Sequence, residues 1–452
     1  MSEFISVAPG LLGMFSDFFG LAIIAPLLPS RVNAQMVGFI ISGQYLAVVI
    51  GSVVLGVIAD FAGGNRALAI TMICDAILFA GSAFVDSAFA LLALRCCVGF
   101  FAPQGLAIAW IGSVSTPKTL PRNMGLIAAF IHLGILSGTI CGGLLSWYTA
   151  CIISAFPPLI TLLFLFYASY HPAKDLQSQS TQQQQQIEAS PSSRRVAFRD
   201  GVRTRDFAAV AMVMFANGAE ISLHFALFVV VLTSKPYNLS RFHYSLSLFP
   251  ASFIQMFNHF FLLPKLIRLT SDPFIIMCLI SIFLALFFTL ILFIILIIPS
   301  SPWPILIAQC IPFWAMSFLQ GISNFASTTQ AHYIAPQVKS ALIGAGRASF
   351  NLGTAIAPSL LLALYLNFNL YLALATISFL YILAALSCYW AILGDPSLRP
   401  PAYSPPSVQS NEVQSSRSKN ENLNYDMVKI RESFPSSSSF LNDTLTTSVT
   451  ID

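Results

Sequence analysis

Apolar residues run along this chain in long unbroken blocks, separated by short polar stretches. The blocks fall roughly at 8–29, 37–59, 67–86, 88–112, 125–147, 150–169, 207–232, 242–263, 274–298, 303–325, 340–365 and 369–393. Each is about 20 residues long or more, the length a helix needs to cross a bilayer. Their polarity does not alternate as the strands of a membrane barrel would, so the pattern predicts helices. The expected fold is an all-α membrane protein with twelve transmembrane helices.

Composition agrees. Of the 452 residues, 56% are apolar and only 9% charged, and Phe alone contributes 39. Mean hydropathy is +0.77. A water-soluble domain has no use for so much apolar surface with so little charge. The first apolar run is too long for a cleavable signal and lacks a basic start, so it reads as the first span. All 8 cysteines fall in or beside spans and read as small packing residues, not as a disulfide or metal framework.

Charge sets the orientation. With both termini in the cytoplasm, the inner loops hold Arg66, Lys118, Arg122, Lys174, Arg194, Arg195, Arg199, Arg203, Arg205, Lys265, Arg268 and Lys339. The outer loops hold only Arg31, Lys235 and Arg241. That is the positive-inside bias. The basic residues are placed for topology, so the net charge of +4 does not point to nucleic acid.

Between the second and third spans stands Gly56-Val-Ile-Ala-Asp60-Phe-Ala-Gly63-Gly-Asn-Arg66. Glycines let two helices turn back in few residues, and the Asp and Arg form a charged latch for a gate. The loop resembles the signature of the major facilitator superfamily, with Phe61 and Gly64 where that family usually carries basic residues. The resemblance implies two pseudo-symmetric six-helix bundles around a midplane substrate site. The halves do echo each other: Gly125 and Gly134 in span five are matched by Gly344 and Gly353 in span eleven. The expected parts are a first bundle over 1–170, a cytoplasmic linker over 171–206, a second bundle over 207–394 and a tail over 395–452. The linker's Gln tract and the Ser- and Pro-rich tail read as disordered.

Span five continues Gly134-Ile-Leu-Ser-Gly138-Thr-Ile-Cys-Gly142-Gly143. It is similar to the antiporter signature of the superfamily's drug:proton exporters, with Thr139 in place of a Pro. Such a run serves close helix approach and a local bend; the alternative is a general small-residue packing face.

Ionisable groups at bilayer depth are costly, so they mark function. Span one carries Asp17, followed by Gly20, Pro26 and Pro29, and span four carries Arg95, followed by Gly99. The two resemble the acid–base couple of the exporter branch, in which the Asp takes and releases a proton and the Arg tunes it. On physics alone, an Arg held beside a buried Asp favours the carboxylate, and separation favours the acid. The alternative is a static ion pair. Span seven carries Glu220, with His224 one turn on. Glu220 is expected to bind a cationic solute or carry a second proton, or else to be hydrogen-bonded within its bundle.

Arg347 is expected to pair with Glu220 or Asp60, or to line the cavity as an anion site, with a structural role near the gate favoured. Asp75 reads as a packing charge, because span three is peripheral in the family fold. His132 and His259 read as satisfied core histidines. Candidate cavity residues are Phe18, Phe19, Gln44, Gln104, Trp110, His224, Trp314, Gln320 and Asn324.

No phosphate-binding loop, metal-spaced His/Cys set or nucleophile elbow is present, so neither an enzyme nor an ATP-driven pump is indicated, and no cofactor. Asn238 begins a glycosylation sequon close to the membrane. Pro400, Pro401 and Tyr403 match a WW-domain ligand, and Tyr425 begins a sorting signal, so a WW or sorting-adaptor protein is a candidate partner beside protons and lipid. The expectation is a secondary transporter of a small amphipathic or cationic solute, coupled to protons and exporting. The alternatives are a facilitator or proton symporter, and a non-transporting receptor or adaptor.

Overall fold

A single glycine turns the second helix into the third. The helix Ala34–Ala62 ends at Gly63 and the helix Gly64–Gly81 begins beside it. Gly63 has φ +89°, a conformation that a side chain would strain. The loop signature therefore has a local cause: spans two and three reverse through one residue.

The structure is a computed structural model, and it describes residues 2–115, 119–170, 198–235, 237–262, 265, 272–298, 303–334 and 339–394. Residues 171–197 of the expected linker over 171–206, the tail motifs at Pro400, Pro401, Tyr403 and Tyr425, and the side chains of Asp60 and Lys339 lie outside the described residues. Among the described residues, eleven segments are long and apolar enough to cross a membrane, from Ile5–Ser30 to Leu370–Ile392. The expected eighth span is not one of them. It is helical over Arg241–Phe257 and continues as a wider π turn over Asn258–Leu262. Its buried side carries Ser245, Ser252, Gln255, Asn258 and His259, a polar stripe that lowers its hydropathy.

The same helix pairs recur in the two halves. Span one packs on span five, as seven does on eleven; two packs on four, as eight does on ten; three packs on six, as nine does on twelve. The halves meet through spans five and eight and through spans two and eleven. All of these spans lie in one compact unit.

Close approach of spans one and five is written in the glycines. A Cβ added at Gly134 would lie 2.6 Å from the Phe15 carbonyl, and one at Gly138 would lie 2.7 Å from that of Phe19. At Gly142 it would strike the Ile23 carbonyl. The four-residue spacing sets all three on one face, each against one turn of span one. Gly353 sits in the same way on the Phe215 carbonyl of span seven, while Gly143 faces Ser245 of span eight.

One end of the molecule is sealed. Span one finishes in a tight 3-10 turn, Ala25–Ser30, where two prolines leave amides without hydrogen. Ala25, Pro26, Leu27 and Leu28 are buried there and pack against the far end of span seven and the start of span eight.

Candidate functional site

Span four breaks where the chemistry sits. The helix Ala88–Phe100 stops, Pro103 cannot donate a backbone hydrogen bond, and a second helix runs Gln104–Val114. The break places Gln104, buried, opposite Asp17 of span one. The Gln104 side-chain nitrogen donates to Asp17 Oδ2 at 2.6 Å. Arg347 of span eleven donates to Gln104 Oε1 at 3.4 Å. One amide thus joins a carboxylate of the first half to a guanidinium of the second.

Arg347 is 7% exposed and has no ion-pair partner among the described residues. Its guanidinium lies 4.2 Å from the centre of the Phe350 ring and 5.9 Å from that of Phe18. Its Nε has no hydrogen-bond partner. It lines a small cavity of about 30 Å³ between the halves, together with Asn324, Ser327 and the apolar Met14, Ile131 and Met214. Of the three roles expected for Arg347, lining the cavity matches this placement. Tyr45 of span two is buried within electrostatic reach of both Asp17 and Arg347.

The expected Asp17–Arg95 pair is not formed in this conformation. Gln104 occupies the Asp17 carboxylate instead, and Arg95 lies over Phe79 at 5.6 Å. The break in span four puts Gln104 at the start of its own helix, where its amide reaches Asp17. Asp75, expected as a packing charge, is wholly buried.

Glu220 points into its own half. Tyr381 of span twelve donates its hydroxyl to Glu220 Oε2, and it lies 3.2 Å from Asn217 Oδ1. His224 Nε2 stands 3.6 Å from Glu220 Oε1. Span seven widens to a π turn at Leu223–Leu227, and Tyr244 donates to the His224 carbonyl there. This is the bundle-bonded alternative for Glu220. His224 lies with it and not on the cavity wall.

The remaining candidates separate. Asn324 lines the cavity, and Phe18 lies beneath Arg347. Gln44 and Gln320 are buried. Trp110 donates its indole N–H to the Ser6 carbonyl at 2.8 Å, tying span four to the start of span one. His132 and His259 stack on each other across spans five and eight, with centroids 5.1 Å apart. Gly56 has open space around it and Arg66 is exposed. Sequence reasoning missed Tyr381, because a Tyr within a long apolar run carries no signal of its partner.

Each charge at membrane depth costs about 3 kcal/mol on insertion scales. Asp17, Arg95, Glu220 and Arg347 are nonetheless all held in the interior. A scaffold gains nothing from carrying them.

Comparison with known proteins adds three findings. The family model described as Major Facilitator Superfamily matches residues 10–337. No curated protein matches the sequence. Among solved structures, that of the human organic anion transporter MFSD10 (TETRAN) is similar, with a TM-score of 0.64 and 16% identity, covering 85% of this chain and 99% of that one. At that identity the likeness is one of fold.

Proposed function

This chain belongs to the major facilitator superfamily, and we propose that it is a proton-coupled secondary transporter of an amphipathic organic anion, working by alternating access. The observation that carries the reading is Arg347: a buried guanidinium at the wall of the inter-half cavity, with an unpartnered Nε and aromatic rings on either side. A carboxylate or similar head group satisfies that guanidinium, and the apolar residues around it take the body of the solute once the halves part and the cavity widens. The structure of similar fold is described as that of an organic anion transporter, which agrees.

Asp17 is the coupling acid in this reading. Ionised, it accepts from Gln104 and so holds the Gln104 oxygen on Arg347, which dampens the pull of Arg347 on an anion. Protonated, it no longer opposes that pull. Proton and anion then favour each other's binding, which is the arithmetic of carriage together. The exporter-like motifs around Asp17, Arg95 and Gly134 to Gly143 favour a second reading, exchange of solute for protons. The basic-residue bias favours both termini in the cytoplasm and hence the sealed end outside.

Proteoliposomes holding the full chain test the reading with a panel of organic anions, cations and neutral amphiphiles, each with and without a pH gradient. Accumulation of anions along an inward proton gradient supports it. Anion movement only against the proton gradient selects exchange, uptake indifferent to the gradient selects a facilitator, and uptake of cations alone overturns the anion site. No transport of any class leaves the receptor or adaptor alternative standing and sinks the proposal.

A further inference from the structure

Arg95 is almost completely buried, and neither of its terminal nitrogens has a hydrogen-bond partner. Asp75 of span three is wholly buried, and neither of its carboxylate oxygens has one. An acid and a base on neighbouring spans are thus both left without hydrogen bonds in the interior of the first half. A bridge serving only to hold spans three and four together would close to contact, since unpaired buried charge is costly. Phe79, one turn after Asp75, holds the guanidinium over its ring. The same ring fills the space beside Gly20 of span one, one turn after Asp17. Arg95 therefore stands within electrostatic reach of two acids, Asp75 and Asp17. The other groups that face this cluster are Cys151 of span six beside Arg95, Cys74 beside Asp75, and Tyr45 and Arg347 beside Asp17.

We propose that Asp75 is a positioning residue for the proton site: it competes with Asp17 for the guanidinium of Arg95. This rests on Asp17 being the coupling acid. A cation shared between two carboxylates on different spans stabilises each less than it would stabilise either one alone. An ion pair with Arg95 would lock Asp17 in its charged form. Asp75 holds Arg95 back toward span three, so that Asp17 stays bonded to Gln104 and free to take a proton. Asp75 itself touches neither solute nor Gln104 in this arrangement.

The test is pH-titrated infrared difference spectroscopy of the full chain in nanodiscs, following the protonated-carboxyl band with no solute present. The part of the band lost in Asp17→Asn is the Asp17 signal. If nothing is lost, the proton-site reading itself fails, whatever Asp75 does. Given that signal, Asp75→Asn moves its midpoint toward acid by roughly one pH unit, since Arg95 is then free to capture Asp17. Asp75→Ser does the same, and Asp75→Glu, which keeps the carboxylate, holds the wild-type midpoint. Arg95→Gln moves the midpoint toward alkaline pH, and adding Asp75→Asn to it changes nothing more. An unmoved midpoint in both Asp75→Asn and Asp75→Ser overturns the inference while leaving Asp17 in its role. A shift of equal size in the Arg95→Gln background overturns it as well, because Asp75 would then act without Arg95.

Discussion

Asp17 and Arg347 come from opposite halves of the chain and share one side-chain amide: Gln104 donates to the first and accepts from the second. Neither residue is a direct partner of the other. In the proposed reading, a change of charge on Asp17 reaches Arg347 through the orientation of this single neutral group, beside the through-space electrostatic interaction of the two. Four expected outcomes follow from the geometry.

Asp17→Asn mimics the protonated acid and removes its titration. Solute accumulation driven by a pH gradient should fall to the equilibrium level in proteoliposomes. Binding, read as a solute-induced shift in thermal unfolding, should persist. Accumulation that survives the change would transfer the coupling role to Glu220.

Arg347→Gln removes the cation from the cavity wall. A charged hydrogen bond is worth about 1.5–3 kcal/mol, so the affinity for an anionic solute should fall roughly tenfold to a hundredfold. Arg347→Lys should restore part of it, because a point charge replaces the planar fork. Equilibrium binding to the detergent-solubilised protein measures both. An unchanged affinity in Arg347→Gln would remove the head-group site.

Gln104→Leu cuts the link while leaving both charges in place. In the wild type, anion affinity should rise as pH falls through the Asp17 titration, because protonation lifts the opposing charge. In Gln104→Leu that pH dependence should flatten, even if the affinity at one pH changes little. Binding isotherms at a series of pH values decide it, and an undiminished dependence would mean that the coupling runs through space alone.

Gly138→Ala places a methyl against the Phe19 carbonyl, 2.7 Å from the ideal Cβ position. Forcing that contact should cost about 1–3 kcal/mol and lower the thermal midpoint of the purified protein by several degrees. Gly112→Ala is the control, since an added Cβ there meets nothing within 4 Å. Equal midpoints for the two variants would mean that spans one and five tolerate separation.

Much of the fold was legible in the chain because its causes are local. The length and apolarity of the runs set their type, and eleven segments long and apolar enough to span are found among the described residues. Gly63 announced a turn that only glycine fits, and the spacing of Gly134, Gly138 and Gly142 announced a face for close approach. The eighth span was the weak point of that reading. Its polar stripe is paid for by burial against span five, and no hydropathy value distinguishes a covered polar face from an exposed one. Asp17, Arg95, Glu220 and Arg347 could be singled out by the cost of charge in a membrane, but their partners could not. Asp17 meets Gln104 because Pro103 breaks span four, and Glu220 meets Tyr381 because span twelve packs on span seven. The amide between Asp17 and Arg347 joins residues 243 positions apart. Such partnerships depend on how helices rotate and cross once both halves have closed, and a sequence of apolar runs constrains that rotation only where glycines or prolines force it.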